Sequence, residues 1–263
     1  MIILVFAYIF LAYWLHTYFA RNDRGAKEPI KALRLAGFMG IVAGLLAGDL
    51  NQLFLPDSFL EYFNNDINNN AFVLPETNVL IKSALLIGII EESLKFVPLA
   101  ILLYKKPYFN ETTDGIVYFG LAGMWFGALE NIFYAMDYGS EVGITRLIMT
   151  PFLHAGLSAL VGWGLAQYKV EKTSLFLPVG LFAGAVLAHA LYNLLAFSGS
   201  ALSILIIPMA IAINAGVFVL FNKSRRRDEQ LGISASGTNN FCRSCGRPNP
   251  QRNLFCVNCG KKT

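Results

Sequence analysis

The chain has 263 residues, of which 55% are hydrophobic and 14% are charged, whereas an average soluble domain carries about 25% charged residues. This balance excludes an ordinary soluble enzyme. The formal net charge of +4 is explained below by membrane topology, so we expect no nucleic-acid partner.

Hydrophobic runs long enough to cross a bilayer recur along the chain. A transmembrane helix needs about 20 mostly apolar residues, and the candidate spans are residues 1–20, 32–54, 78–104, 114–136, 146–168, 174–197 and 200–221. The first run lacks a basic leading segment and a small-residue cleavage site, so we interpret it as a retained anchor and not as a signal peptide. The sequence therefore predicts an all-α polytopic protein, a bundle of about seven transmembrane helices in the lipid bilayer over residues 1–221.

The positions of lysine and arginine indicate how the chain crosses the membrane. Basic residues cluster in the loops after the first, third and fifth candidate spans and at the start of the tail, in NKSRRR. The loop of residues 55–77 has none. Because cytoplasmic loops carry the excess of Lys and Arg, we expect a multi-pass protein of the cell membrane with its N-terminus outside and its C-terminus in the cytosol.

The tail has the composition of a linker followed by a small metal-binding module. Residues 222–240 are polar and rich in Gly, Ser and Asn, which predicts a flexible linker. Residues 241–263 hold all the cysteines of the chain in two C-x2-C pairs: Cys242, Cys245, Cys256 and Cys259. This spacing predicts a structural zinc ribbon that binds one Zn²⁺ and could serve a cytosolic partner. Two disulfides are the alternative, but a cytosolic tail lies in a reducing compartment.

The third candidate span carries three charged residues, Glu91, Glu92 and Lys95, within five positions. A charged side chain at the bilayer centre costs about 2.5–3.5 kcal/mol on an insertion scale, so this segment needs partners inside the bundle. The i, i+3 and i, i+4 spacings offer Lys95 a local ion pair with either glutamate. Such a pair leaves the second glutamate unexplained.

Later spans add further polar residues at a similar depth: Glu130, His154, His189 and Asn193. At 1.5 Å per residue, the first three lie about 9–12 Å from the outer ends of their spans, and Glu91 lies about 15–20 Å down its own span. This shared depth predicts one cavity in the outer half of the membrane. Asn51 and Arg146 lie closer to the outer ends of their spans, and we expect interfacial positions for both.

These residue types suit hydrolysis by an activated water. A buried glutamate can act as general base on water, and a His or Asn donor can stabilise the oxyanion of a tetrahedral intermediate. His154, His189 and one glutamate would also make a metal site with an open position, so a metal-bound and a metal-free water are both open. A proton-coupled transporter or ion pathway is the alternative function, because buried Glu, His and Lys also mark ion pathways. A third hypothesis for the function is a membrane scaffold that signals through the zinc ribbon.

Four short motifs on successive spans carry a family resemblance. They are E-E-x-x-K (Glu91, Glu92, Lys95), F-x-x-x-E (Phe126, Glu130), P-F-x-H (Pro151, Phe152, His154) and H-x-x-x-N (His189, Asn193). In this order they resemble the PrsW intramembrane protease family, a distant relative of the CAAX prenyl endopeptidase/Abi group, over residues 1–221. The resemblance implies a site-1-type protease that cuts membrane-anchored proteins, such as anti-sigma factors, near the extracytoplasmic face. Glu91 and Glu92 would include the general base, and Lys95 would orient the pair.

The same resemblance implies roles for the other site residues. Glu130 and His154 would orient the water or bind a metal, and His189 and Asn193 would hold the oxyanion. Family members are often labelled metalloproteases, whereas the more distant relatives indicate a glutamate-activated water, so a catalytic divalent metal stays open. The zinc ribbon resembles an added tail that some relatives carry.

Overall fold

The structure is a computed structural model that describes residues 6–10, 13–14, 17, 28–62, 75–198 and 200–230, and in the tail residues 242, 244–245, 255–256 and 258–261. Within these residues the long elements are all helices: α1 (Ile30–Phe54), α2 (Thr77–Leu103), α3 (Thr112–Tyr138), α4 (Ser140–Val170), α5 (Phe176–Phe197) and α6 (Ile206–Gln230). A short 3₁₀ helix, Ala201–Leu205, precedes α6.

In the described part of the chain, four helical stretches are long and apolar enough to cross a membrane: α1, α3, α5 and Ala201–Gln230. Helices α2 and α4 are as long, with 27 and 31 residues, and in α2 the charged residues Glu91, Glu92 and Lys95 interrupt the apolar sequence. Burial explains how a membrane accepts such a helix, since Glu91, Glu92 and Lys95 of α2 all face the interior of the bundle. The prediction of an all-α polytopic membrane protein is confirmed.

The first candidate span, residues 1–20, lies largely outside the described residues. Its described fragment at residues 6–10 is helical, and Tyr8 packs among apolar side chains of α3 and α4. The count of seven spans therefore stays a prediction.

Helix α6 continues to Gln230, past the predicted end of its span at residue 221, so residues 222–230 of the predicted flexible linker are helical. A contact with the start of α3 explains the difference. The buried Asp228 carboxylate accepts hydrogen bonds from the backbone N–H groups of Thr112 and Thr113, at 3.0 and 3.2 Å. A carboxylate at a helix N-terminus is favourable because it satisfies unpaired N–H groups and complements the helix dipole.

Small residues set the spacing between α3 and α4, the most closely packed pair of helices. A Cβ added to Gly115 would lie 2.0 Å from the Gly162 carbonyl oxygen, and one added to Gly123 would lie 2.3 Å from the His154 carbonyl oxygen. In lipid, no hydrophobic effect drives helices together, because the lipid tails are as apolar as the helix surfaces. Close packing of small residues therefore holds such helices together. It places His154 against the face of α3 that also carries Glu130, two turns beyond Gly123.

A second close approach joins α2 to α5. A Cβ on Gly88 would lie 2.9 Å from the Val186 carbonyl oxygen. About one helical turn further along each helix, Glu92 and His189 come into contact. The site described next is therefore assembled by two glycine-mediated helix crossings.

Candidate active site

Lys95 is the centre of the charged cluster on α2. Its Nζ lies 2.5 Å from Glu92 Oε1, so the i, i+3 ion pair forms, and it lies 2.9 Å from His154 Nδ1 on α4. The ammonium also lies 4.7 Å from the centroid of the Phe126 ring, a cation–π contact. Lys95 and Glu92 are almost fully buried, so each depends on the other for its charge.

Two imidazoles meet beside this ion pair. The His154 and His189 rings lie 5.0 Å apart, edge to face. His189 Nδ1 lies 2.8 Å from Glu92 Oε1. Because a carboxylate only accepts, we assign the proton to Nδ1 of His189, and because an ammonium only donates, we assign Nδ1 of His154 as the acceptor from Lys95.

Glu130 on α3 joins the cluster from the other side. Its Oε2 lies 2.7 Å from His154 Nε2, but the two atoms are not aligned as a hydrogen bond. Its Oε1 accepts a hydrogen bond of 2.8 Å from Arg146 Nη2. Arg146 is held in turn, since its guanidinium lies 3.8 Å from the centroid of the Tyr134 ring and its Nε donates to Asn131 Oδ1.

Glu91 has a different environment from its neighbour Glu92. Its Oε1 accepts a hydrogen bond of 3.2 Å from Asn51 Nδ2 on α1, and its Oε2 lies 3.6 Å from His189 Nε2, too far for a hydrogen bond. Among the described residues, this Oε2 and the nearby Asn193 Nδ2 are buried polar atoms that lack a hydrogen-bond partner. Buried polar groups are normally paired, so these two atoms are available to a bound water or substrate.

An open cleft of about 980 Å³ leads to these atoms. It lies between α1, α2, α3 and α5, near the ends of α1, α3 and α5 that the sequence analysis places outside. Glu91, Glu130 and Asn193 line it together with Gly48, Asn51 and several aromatic side chains, whereas Glu92, Lys95, His154 and His189 are not among its lining residues. The predicted site residues therefore fall into two sets: those that line the cleft, and those that lie behind them in the interior of the bundle.

The residues that the sequence analysis selected on four different spans come together in this one cluster. Two further members, Asn51 and Arg146, were expected at the membrane interface and instead bind Glu91 and Glu130. Their depth in the spans did not predict this. A polar residue near the outer end of a span can lie at the membrane interface or contact a site in the outer half, and the sequence does not distinguish the two. The family resemblance implies that Lys95 orients both glutamates. In the structure Lys95 forms its ion pair with Glu92, so a direct orienting contact exists for Glu92 alone among the two.

A catalytic metal finds only part of its ligand set in this geometry. Ligand atoms of Glu91, His154 and His189 lie within 4.8 Å of one another. His189 fits a metal, because Glu92 binds its Nδ1 in the way that carboxylates orient metal-binding histidines. His154 does not fit, because a metal on its Nε2 would require a proton on Nδ1, which would then face the Lys95 ammonium at 2.9 Å with two donors in contact.

The tail cysteines are arranged as a metal site. The Sγ atoms of all four lie within 4.8 Å of one another. Cys242 and Cys259 are 3.6 Å apart and Cys245 and Cys256 are 3.7 Å apart, whereas a disulfide bond is about 2.05 Å long. Tetrahedral zinc with Zn–S bonds of about 2.3 Å places its sulfurs about 3.8 Å apart, so the four thiols fit one Zn²⁺.

The bundle and its buried cluster of carboxylates and imidazoles define a polytopic membrane protein with polar chemistry inside the bilayer. More specifically, the chain belongs to the PrsW family of intramembrane metalloproteases, whose sequence model matches residues 28–221. That range contains helices α1 to α5, most of α6 and every residue of the cluster.

Several bacterial proteins named Protease PrsW are similar to this chain. The protein from Bacillus subtilis is 29% identical over 160 residues, which cover 59% of this chain and 65% of that protein. The proteins from Shouchella clausii and Halalkalibacterium halodurans are 30% and 32% identical, over 46% and 44% of this chain and 59% and 54% of their own lengths. The matched region thus spans less than two thirds of each of these relatives. No solved structure matches the chain significantly.

Proposed function

We propose that the chain is an intramembrane endopeptidase that hydrolyses peptide bonds of membrane-anchored proteins. The observation that carries the proposal is the pair of unpartnered polar atoms, Glu91 Oε2 and Asn193 Nδ2, on residues that line an open cleft. One is a base and the other is a hydrogen-bond donor. Peptide hydrolysis needs both, a base for the attacking water and a donor for the oxyanion.

Glu91 is the general base in this proposal. Its free Oε2 can accept the proton of a water in the cleft while Asn51 holds its Oε1. Glu92 is unsuited to this role, because its Oε1 already accepts from Lys95 and His189 and it does not line the cleft. Glu92 instead positions these two side chains.

During the reaction, Glu91 takes one proton from the water and later gives it to the leaving nitrogen. The water oxygen attacks the substrate carbonyl carbon as Glu91 takes the water proton, and the carbonyl oxygen becomes an oxyanion that Asn193 Nδ2 stabilises. His189 has its one proton on Nδ1, where it donates to Glu92, so its neutral ring has no N–H for the oxyanion. The C–N bond then breaks as Glu91 returns the proton to the leaving nitrogen. Glu130, held by Arg146, orients the water and the substrate at the other side of the cleft.

A divalent metal, when bound beside Glu91 and His189, would activate the same water as a Lewis acid. The present contacts of His154 do not support the third ligand, so the proposal assigns water activation to Glu91. Zn²⁺ is proposed as a structural ion of the cysteine ribbon over residues 241–263.

The substrate class and the orientation belong to the proposal as well. The basic loops support an N-terminus outside and a C-terminus in the cytosol, which sets the cleft in the outer half of the membrane. Substrates would be cut close to the outer surface, and an anti-sigma factor is the candidate that the family resemblance suggests. The cytosolic ribbon could bind a partner.

N-terminal proteomics of host membranes tests the proposal. Membranes with the wild-type chain are compared with those that contain Glu91→Gln at equal expression, and Glu141→Gln, an exposed position outside the cluster, is the matched control. We expect new N-termini near the outer edge of single-span proteins with the wild type and the control but not with Glu91→Gln. Identical profiles in all three, with a phenotype that still depends on Glu91, would favour the transporter.

A further inference from the structure

A second groove, of about 710 Å³, lies between α4 and α6 at the end of the bundle away from the active-site cleft. Trp163 and Gln167 of α4 line one wall, and Phe218, Val219 and later residues of α6 line the other. A hydrogen bond of 2.9 Å from Trp163 Nε1 to Ser224 Oγ joins the two helices. The groove is therefore built from two connected walls and is more than a stripe on one helix.

The lining of this groove changes from apolar to basic along α6. Phe218 and Val219 are 64% and 63% exposed, and Lys223, Arg226 and Arg227 follow one to two turns later on the same side. An apolar stretch that ends in Lys and Arg marks the border between hydrocarbon and headgroups on the cytosolic side of a membrane. The groove thus crosses that border.

The basic end of the groove has more positive charge than it can neutralise by itself. Among the described residues that line the groove, Glu171 is the one acidic residue, and its carboxylate is 3.4 Å from Arg227. Lys223 and Arg226 are exposed and form no ion pair within the described helices. Two cations therefore remain for an anionic ligand.

We propose that this groove binds one anionic phospholipid of the cytosolic leaflet. The headgroup phosphate binds Lys223 and Arg226, and an acyl chain lies along Phe218 and Val219. Basic pockets between transmembrane helices on the cytosolic side are suited to anionic headgroups. A phospholipid accounts for both ends of the groove, because it is the ligand that carries its negative charge at the membrane border and its apolar part inside.

Two other occupants fit less well. The following segment of the chain, LGISASGTNN at residues 231–240, has no charge with which to complement Lys223 and Arg226. A soluble acidic peptide could reach the basic end but would have to enter the hydrocarbon layer to contact Phe218. Neither occupant uses the whole groove.

Native mass spectrometry of the full chain in a neutral detergent tests this proposal. Phosphatidylglycerol and phosphatidylcholine with the same acyl chains are titrated separately, and we expect one retained phosphatidylglycerol and no retained phosphatidylcholine. The variant Lys223→Ala/Arg226→Ala should bind phosphatidylglycerol more weakly, by about 5-fold for each cation removed. The control Lys105→Ala/Lys106→Ala removes two exposed lysines of another cytosolic loop and should bind as the wild type does.

Quenching of Trp163 fluorescence gives a second readout that a loss of folding would not imitate. Phosphatidylglycerol with brominated chains should quench Trp163 in a Trp14→Phe/Trp125→Phe chain, and the Lys223→Ala/Arg226→Ala changes should abolish the quenching while the unfolding temperature without lipid stays unchanged.

Several results would overturn the proposal. These are equal retention of both lipids, equal weakening in the Lys105→Ala/Lys106→Ala control, or full displacement of the lipid by glycerol 3-phosphate or by a glutamate-rich peptide. The proposal does not depend on proteolysis, because Lys223 and Arg226 lie far from the Glu91 cleft and the readout is lipid binding.

Discussion

Nζ of Lys95 on α2 lies 2.9 Å from Nδ1 of His154 on α4, although the two residues are 59 positions apart in the chain. The same ammonium binds Glu92, and Glu92 binds His189 on α5. One buried lysine therefore connects three helices and determines which nitrogen of His154 accepts a hydrogen bond.

Removal of the Lys95 ammonium should affect both stability and activity. In Lys95→Met the buried Glu92 charge loses its cation, and breaking a buried ion pair in this way lowers the free energy of unfolding by about 3–5 kcal/mol. We expect cleavage to fall by about 10²-fold as well, because His154 and His189 lose their fixed orientation. Unfolding in detergent and a cleavage assay measure the two effects.

A matched lysine and a paired change serve as controls for Lys95→Met. Lys82→Met alters an exposed residue of the same helix and should leave both quantities unchanged. Adding Glu92→Gln to Lys95→Met should recover much of the stability without recovering activity. If Lys95→Met were as stable as Lys82→Met, the buried ion pair would have no structural role.

The two neighbouring glutamates should respond differently to the same change. Glu91→Gln keeps an oxygen that can accept from Asn51, so we expect a folded protein whose cleavage is reduced by about 10²–10⁴-fold. Glu92→Gln leaves Lys95 without a counter-charge and should lower the unfolding temperature. Assays of both variants side by side make the comparison, and a Glu91→Gln protein that still cleaves while Glu92→Gln does not would transfer the role of base to Glu92.

The absence of a side chain at Gly48 should leave space in the cleft for a substrate to reach Glu91. It lines the cleft one turn before Asn51, and a Cβ added there would meet nothing within 4 Å. A leucine side chain at this position would enter the cleft without disturbing the packing of α1. We expect Gly48→Leu to fold normally and to reduce cleavage by about 10²-fold, because the substrate bond is displaced from Glu91.

Gly184→Leu is the control for Gly48→Leu. Gly184 on α5 also has nothing within 4 Å of an added Cβ, and it does not line the cleft. Both changes remove the same unfavourable helix propensity of glycine. Equal activity of the two variants in the cleavage assay would mean that substrates do not pass Gly48.

Zinc content should report the cysteine ribbon separately from the active site. We expect one Zn²⁺ per purified chain by elemental analysis, because four thiols hold it and the contacts of His154 disfavour a second metal. Cys256→Ser/Cys259→Ser should reduce the content to none, and Glu91→Gln should leave it at one. Two zinc ions per wild-type chain, with one lost in Glu91→Gln, would show that the active site binds a metal after all.

Much of the cluster can be predicted from the sequence, because charged residues in an apolar span are rare and need partners. Glu91, Glu92, Lys95, Glu130 and the two buried histidines stand out for this reason alone. Asn51 and Arg146 do not stand out, because polar side chains near the end of a span are ordinary. The sequence predicted a flexible linker at residues 222–230, which are helical. Their polar composition does not reveal that Asp228 contacts the start of α3.

The amino-acid sequence is enough to predict a helical membrane protein, polar residues at a similar depth in their spans, and four cysteines that can bind one ion. These are properties of single segments and of spacing, which follow from hydropathy and helical rise. The sequence does not predict that Glu91 faces the cleft while Glu92 faces Lys95, or that His154 accepts a hydrogen bond from the Lys95 ammonium through Nδ1, because these contacts depend on how the helices pack. Adjacent residues point about 100° apart on a helix, so the rotation and crossing of each helix, set by close contacts such as Gly88 with Val186 and Gly123 with His154, determine which carboxylate faces the cleft.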